Sequence, residues 1–301
     1  MLSEKSKSLR PWLIKNLKNA PPAGSIQEAR AVIEFGASRA VLPAGTTVET
    51  VVAGTVPAEW VRAANAATDR VILHLHGGGY TKCSCNTSRL TAAQISAASA
   101  CSVLVIDYRL APEHPFPAAL EDAIAAFRWL LDQGFKSEHI VLLGDSAGGG
   151  LAVSTLVTLL AEGDRLPCTA VLLSPWTDLA GSGESMTTRA DADPWMTERE
   201  CRISAELYAA GTDLKHPLIS PLYADLSGLP PLLIQVGTDE ILRDDSLRLA
   251  EKARAAGVDV TLDVWEGMWH VWHYFAPQLP EGVQAIGQVG DFVKTHFEPS
   301  V

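Results

Sequence analysis

From about residue 70 onward, short apolar runs rich in β-branched residues alternate with longer segments of helical spacing. This order marks βαβ units feeding a parallel sheet. The runs at 71–76, 102–107, 139–143, 170–174, 232–236 and 258–265 read as buried strands and predict six parallel members. Ahead of them, 46–52 and 59–64 flank a Gly-Thr-Val-Pro turn and predict an antiparallel pair at one sheet edge. Between the runs, 121–131, 147–162, 244–256 and 283–296 have the length and spacing of helices that cover both sheet faces. Two segments break the alternation: 1–45, and 181–218, which carries Met186, Trp195, Met196 and Tyr208 without a strand. Neither has enough chain for its own core, so both are expected to fold as parts of a cap over a catalytic domain spanning 46–301. The predicted class is α/β, an eight-stranded, mostly parallel sheet with helices on both faces and a helical cap.

Composition narrows the function. At 301 residues and 47% hydrophobic, the chain can bury one large core. A formal charge of −11, from 35 acidic against 24 basic residues, has the wrong sign for gripping a phosphate backbone, so no nucleic-acid partner is expected. Charges interrupt every apolar stretch of the first 24 residues, unlike a secretory signal. The longest helix-like apolar run, 151–161, is well short of the roughly 20 residues needed to span a bilayer. A cytoplasmic protein is the expectation. Five scattered cysteines, at 83, 85, 101, 168 and 201, fit reduced thiols better than a disulfide framework. Cys83 and Cys85 lack the second pair that a zinc site needs, and they read as loop or packing residues.

The strongest chemical signal is the predicted strand ending in Gly144-Asp-Ser146-Ala-Gly148, followed directly by a long helical segment. A serine at a tight strand-to-helix turn needs small neighbours so that turn and helix can approach. Its hydroxyl then stands clear of the sheet as a nucleophile, and the Ala147 N–H at the new helix start faces the place where an acyl oxyanion forms. The second signal is His74-Leu-His76-Gly-Gly-Gly79-Tyr80 at the end of another strand. Consecutive glycines let successive N–H groups converge, making Gly78 and Gly79 the remaining oxyanion-hole candidates. The competing reading, a His74/His76 metal pair, lacks an accompanying H-E-x-x-H or aspartate-rich motif, and no metal or other cofactor is expected. His76 reads instead as a loop-anchoring hydrogen-bond donor.

His76-Gly-Gly-Gly-Tyr80 about seventy residues ahead of Gly144-Asp-Ser-Ala-Gly-Gly149 resembles the hormone-sensitive-lipase-like family of bacterial esterases. Asp107-Tyr-Arg-Leu-Ala-Pro-Glu-His-Pro-Phe-Pro-Ala-Ala-Leu120 and Ser174-Pro-Trp-Thr-Asp178 extend the likeness over nearly the whole chain beyond residue 45. The resemblance implies the α/β-hydrolase fold, a serine triad, small to medium carboxylic esters as substrates, and a possible homodimer through the edge of the last strand. It also implies that His114 supports the site through buried polar contacts. Cys83 stands where the family commonly has glycine.

For the triad acid, the strand Leu232-Leu-Ile-Gln-Val ends in Gly-Thr-Asp239, at the sheet edge where such folds collect their sites. Asp239 also fills the family's Gly-x-Asp position, with Glu240 where the family often has proline. Asp244 and Asp245 read as carboxylates at a helix start. For the base, Gly-Met-Trp-His270 follows the last strand, which gives the chain order Ser, Asp, His. His273 competes, but the family's Gly-Met-x-His pattern selects His270. Trp195, Trp269, Trp272 and Tyr80 are aromatic candidates for a substrate pocket, although such residues more often belong to the core. The expected function is a serine carboxylesterase acting through an acyl-enzyme. A lactone or N-/O-acyl hydrolase on the same triad, and a non-catalytic receptor on the same fold, are the alternatives.

Overall fold

The computed structural model describes residues 2–21 and 23–297; Met1, Pro22 and residues 298–301, which belong to the expected cap and catalytic ranges, lie outside the described residues. The strands are β1 (Thr47–Ala53), β2 (Val56–Arg62), β3 (Ala67–Leu75), β4 (Cys101–Ile106), β5 (Ile140–Asp145), β6 (Thr169–Leu173), β7 (Leu232–Gly237) and β8 (Val260–Trp265). They form one sheet in the order β1-β2-β4-β3-β5-β6-β7-β8. β2 runs antiparallel to both β1 and β4, and the pairs from β4 through to β8 are parallel. Strand order reverses beside β3, so the loops leaving β3 and β5 open into the crevice where α/β sheets place their ligands. Register brings those loops together: Leu75 pairs with Gly144, and Asp145 with Leu173.

The helices are α1 (Glu4–Leu13), α2 (Ile26–Ala37), α3 (Cys85–Ser99), α4 (Ala118–Asp132), α5 (Ala147–Glu162), α6 (Ser185–Thr188), α7 (Glu198–Ala209), α8 (Arg243–Ala255) and α9 (Pro280–His296). The two-residue period of the strands sorts the core. Leu73, Leu104 and Leu142 join one apolar cluster with Phe127 of α4 and Leu151 of α5. Ile72, Val103 and Val141 join another with Ile95 of α3 and Val289 of α9. A third cluster packs Leu13 of α1 against Met268, Trp269 and Trp272, in the loop after β8. The N-terminal helix is thereby seated beside the segment that carries His270. Among the described residues no helix is long and apolar enough to cross a membrane.

The expected strands and the four expected helices form within a few residues of their predicted ends. Helix α3 was not anticipated. It is built largely from Thr, Ser, Ala and Asn, and Ser88, Thr91, Ser96 and Ser99 are buried beside Ala92 and Ile95. Small polar residues on the inner side erase the apolar stripe by which helices are recognised. Residues 181–218 contain α6 and α7 and no strand.

Candidate active site

β5 ends at Asp145 and α5 begins at Ala147, so Ser146 alone makes the turn, with φ 53° and ψ −122°. Holding a non-glycine residue there costs about 1–3 kcal/mol, and the surrounding packing must enforce it. That packing accounts for the flanking glycines. A Cβ at Gly144 would lie 2.1 Å from the Gly148 carbonyl oxygen, and one at Gly148 would lie 1.9 Å from that of Leu75. Backbone bonds brace the turn: Ser146 N–H donates to Leu173 O at 2.9 Å, and Trp176 N–H to Ser146 O at 2.8 Å. The Ser146 hydroxyl lies 2.9 Å from His270 Nε2.

The His270 ring is buried, with Nδ1 3.1 Å from Glu240 Oε2. A proton on Nδ1 satisfies that carboxylate and leaves Nε2 free to accept from the serine. Glu240 is itself completely buried. Its Oε1 accepts from the Gly237 N–H at 2.6 Å and from the Ser174 hydroxyl at 2.8 Å. Ser174 Oγ in turn accepts the Val271 N–H at 3.1 Å, tying the carboxylate's support to the histidine's loop.

The structure departs from the expected pairing of Asp239 with His270. Asp239 does not meet His270; its Oδ2 accepts from Arg10 Nη2 of α1 at 2.5 Å, and its side chain is 23% exposed. The next residue, Glu240, takes the place beside the histidine. Adjacent residues in this turn project apart. Asp239 N–H is pinned to Met268 O at 3.0 Å, whereas the hydrogen-bond donors Ser174 and Gly237 converge on the longer Glu240 side chain. The competing histidine, His273, is buried one turn further on and bonds Gln235 Oε1 through Nε2 at 2.9 Å. Burial pushes its pKa down to about 3, so it stays neutral at physiological pH.

On the facing loop, Gly78 and Gly79 have φ of 107° and 63°. Among the described residues no protein acceptor takes the N–H of Gly78, Gly79 or Ala147, which leaves all three available to a ligand. His76 anchors this loop: Nδ1–H donates to Gly77 O at 2.7 Å, and the ring stacks on Tyr108 at 4.2 Å. His74 points elsewhere, its Nε2 2.8 Å from Asp145 Oδ1, and Tyr274 donates to the other oxygen of the same carboxylate. Burial alone would raise the Asp145 pKa, but the bonds from His74 and Tyr274 hold it below the ordinary value. A cavity of about 130 Å³ opens over Ser146. Gly78, Gly79, Cys83 and His270 lie on it together with Trp176, Trp195, Met196, Val271 and Tyr274. Ile33 of α2 and Cys201 and Ser204 of α7 complete its far side, and Lys82 and Glu200 put one charge of each sign on its lining.

A family model described as alpha/beta hydrolase fold matches residues 72–274. The chain belongs to the α/β-hydrolase family. An acetyl-hydrolase of Streptomyces hygroscopicus is 48% identical over 82% of each chain. A solved esterase of the bacterial hormone-sensitive lipase family superposes with a TM-score of 0.95 at 45% identity, covering 99% of each chain. EstE5, soaked with p-nitrophenyl butyrate, superposes with a TM-score of 0.93 at 46% identity, covering 99% of this chain and 100% of that one. The protein is thus an esterase, a carboxylic ester hydrolase of the hormone-sensitive-lipase-like group.

Several polar groups of the esterase's site had no separate signal in the sequence. Asp193, fully buried, accepts the N–H groups of Trp195 and Met196 at 2.9 Å each and that of Ile241 at 3.0 Å. Burial raises its pKa, with the nearby His270 acting in the opposite direction. Of the four aromatic candidates, Trp195 lines the cavity, whereas Trp269, Trp272 and Tyr80 are buried in the core, Tyr80 stacked on Tyr208 at 3.8 Å. His114 is exposed rather than a buried support, and its neighbour Glu113 pairs with Arg30 of α2 at 2.8 Å. Asp244 and Asp245 occupy the first turn of α8 but reach across the chain: Asp244 accepts the Ser185 N–H, and Asp245 those of Thr177 and Asp178.

Proposed function

We propose that the esterase hydrolyses short- to medium-chain carboxylic esters through an acyl-enzyme, with Ser146 as nucleophile, His270 as base and Glu240 as the acid that orients it. The continuous chain from Ser146 Oγ to His270 Nε2 at 2.9 Å, and from His270 Nδ1 to Glu240 Oε2 at 3.1 Å, carries this reading. His270 Nε2 takes the hydroxyl proton as Ser146 Oγ bonds to the ester carbonyl carbon. Glu240 steadies the imidazolium, and the Gly78, Gly79 and Ala147 N–H groups receive the oxyanion. Each such donor is worth about 3 kcal/mol of transition-state stabilisation. The imidazolium then protonates the alkoxide as the carbon–oxygen bond to the leaving alcohol breaks. Water, deprotonated by the same nitrogen, attacks the acyl-enzyme and releases the acid.

Residues 1–45 and 181–218 act as the two parts of a cap in this reading, supported by Ile33 on one side of the cavity and Trp195, Met196 and Cys201 on the other. The small, largely apolar cavity favours short acyl chains. The acetyl-hydrolase relative and the p-nitrophenyl butyrate soaked into a close neighbour agree with that size. Initial rates on p-nitrophenyl esters from acetyl to palmitoyl, for the wild type and Ser146→Ala, test the proposal. Activity greatest on the short esters and lost in Ser146→Ala is expected. Equal activity in the folded variant would remove the mechanism.

A further inference from the structure

Two cations of the N-terminal segment reach into the loops that surround the triad. Arg10 Nη1 donates to Ala192 O at 2.6 Å, and Nη2 to Asp239 Oδ2 at 2.5 Å and to Gly267 O at 3.0 Å. Lys18 Nζ donates to Asp193 O at 2.6 Å and also to Ala190 O. These acceptors are not scattered. Asp239 immediately precedes Glu240, and Gly267 lies three residues before His270. Ala192 precedes Asp193, whose carboxylate takes the N–H of Ile241, the residue after Glu240, and of Trp195 and Met196 on the cavity wall. One guanidinium therefore spans the acid's turn, the base's loop and the segment that builds the cavity.

We propose that Arg10 is a positioning residue: it joins the N-terminal helix to the loops carrying Glu240 and His270 and holds those two side chains in register. This inference rests on the triad reading above. A planar fork with fixed donors holds two carbonyls and a carboxylate in one set geometry; a lysine ammonium at the same place carries three donors, but on a flexible stem that fixes no such arrangement. Arg10 does not line the cavity, so it has no direct contact through which to bind substrate. Its loss acts on the alignment of the reacting groups, and a displacement near 1 Å in such a constellation costs about 100-fold in rate. The effect belongs in kcat, with KM nearly unchanged.

The experiment measures kcat and KM on p-nitrophenyl butyrate, together with thermal midpoints, for Arg10→Met, Arg10→Lys and Arg10→Met/Asp239→Asn. For Arg10→Met, kcat is expected to fall about 10- to 100-fold. KM should stay within about twofold. Arg10→Lys should recover part of the loss. The double variant should also recover part, because it removes the carboxylate that Arg10→Met strands beside Glu240. A folded Arg10→Met enzyme with wild-type kcat, or one with raised KM and unchanged kcat, overturns the proposal. Should Arg10→Met fail to fold, Arg10→Lys decides: wild-type kcat overturns the need for the fork, and a reduced kcat at unchanged KM supports it. Ser146→Ala separates the two readings, since an active Ser146→Ala enzyme sinks the triad, whereas an inactive one beside a fully active Arg10→Met enzyme sinks only the Arg10 role.

Discussion

The identity of the acid gives the sharpest prediction, because two adjacent carboxylates make opposite forecasts. In Glu240→Gln the amide oxygen is drawn to the Oε1 position, where the Gly237 N–H and the Ser174 hydroxyl both donate. The amide NH₂ then faces His270 Nδ1, 3.1 Å away, and a donor cannot face Nδ1–H. The imidazole must move its proton to Nε2, which lies 2.9 Å from Ser146 Oγ and would no longer accept the serine proton. A wrong tautomer of this kind costs about 10⁴ in kcat in the serine-protease triad. That corresponds to about 5 kcal/mol of lost transition-state stabilisation. Asp239→Asn should behave otherwise, because its amide oxygen can still accept from Arg10, and its loss should stay below about tenfold. Initial rates on p-nitrophenyl butyrate, with matched circular dichroism spectra, decide between them. A large loss in Asp239→Asn beside an active Glu240→Gln would refute the argument and restore the sequence-based assignment.

Three further outcomes follow from the packing and electrostatics. Gly148→Ala places a Cβ 1.9 Å from a backbone oxygen of β3; it should cost about 3 kcal/mol or more and lower the thermal midpoint by scanning calorimetry, and an unchanged midpoint would contradict the close approach. Trp195→Ala enlarges the cavity and should move the preferred p-nitrophenyl ester toward longer acyl chains, whereas an unchanged profile would place the acyl group elsewhere. Burial raises the Asp245 carboxyl to about 8 in the folded protein, so the folded state holds a proton that the unfolded state releases near pH 4. Stability from this group is therefore lost as pH rises from about 4 through 8, and Asp245→Asn should gain in urea midpoint relative to the wild type across that interval; parallel curves would disprove the shift.

What the sequence made legible follows from how local each signal is. The turn at Ser146 and the glycine loop are contiguous motifs whose backbone strain lies within a few residues, so their local geometry could be anticipated without a fold. The central strands β4 to β7 were equally local, since apolar runs buried on both sheet faces need no partner to be recognised, whereas β8, expected as a buried strand, is an edge strand and partly open to solvent. The acid was not. Choosing between Asp239 and Glu240 depends on Arg10, 229 positions away, and on Ser174 in a different loop; no spacing rule encodes either contact. Glu240 in place of the family's usual proline was the one visible sign, and it was a sign of departure rather than of role. Asp193 and Tyr274 were hidden for the same reason, because their partners Ile241 and Asp145 come from distant segments. Helix α3 was hidden by its own composition, as small polar side chains bury well but leave no periodic apolar stripe.

Treating the protein with an organophosphonate and locating the adduct by peptide mass spectrometry, while following ester hydrolysis, tests Ser146 as the nucleophile. One phosphonyl group is expected, on Ser146, with activity lost in proportion to labelling and no adduct on Ser146→Ala. Stoichiometric inactivation with the label on another residue, or full activity in a protein labelled at Ser146, would contradict it.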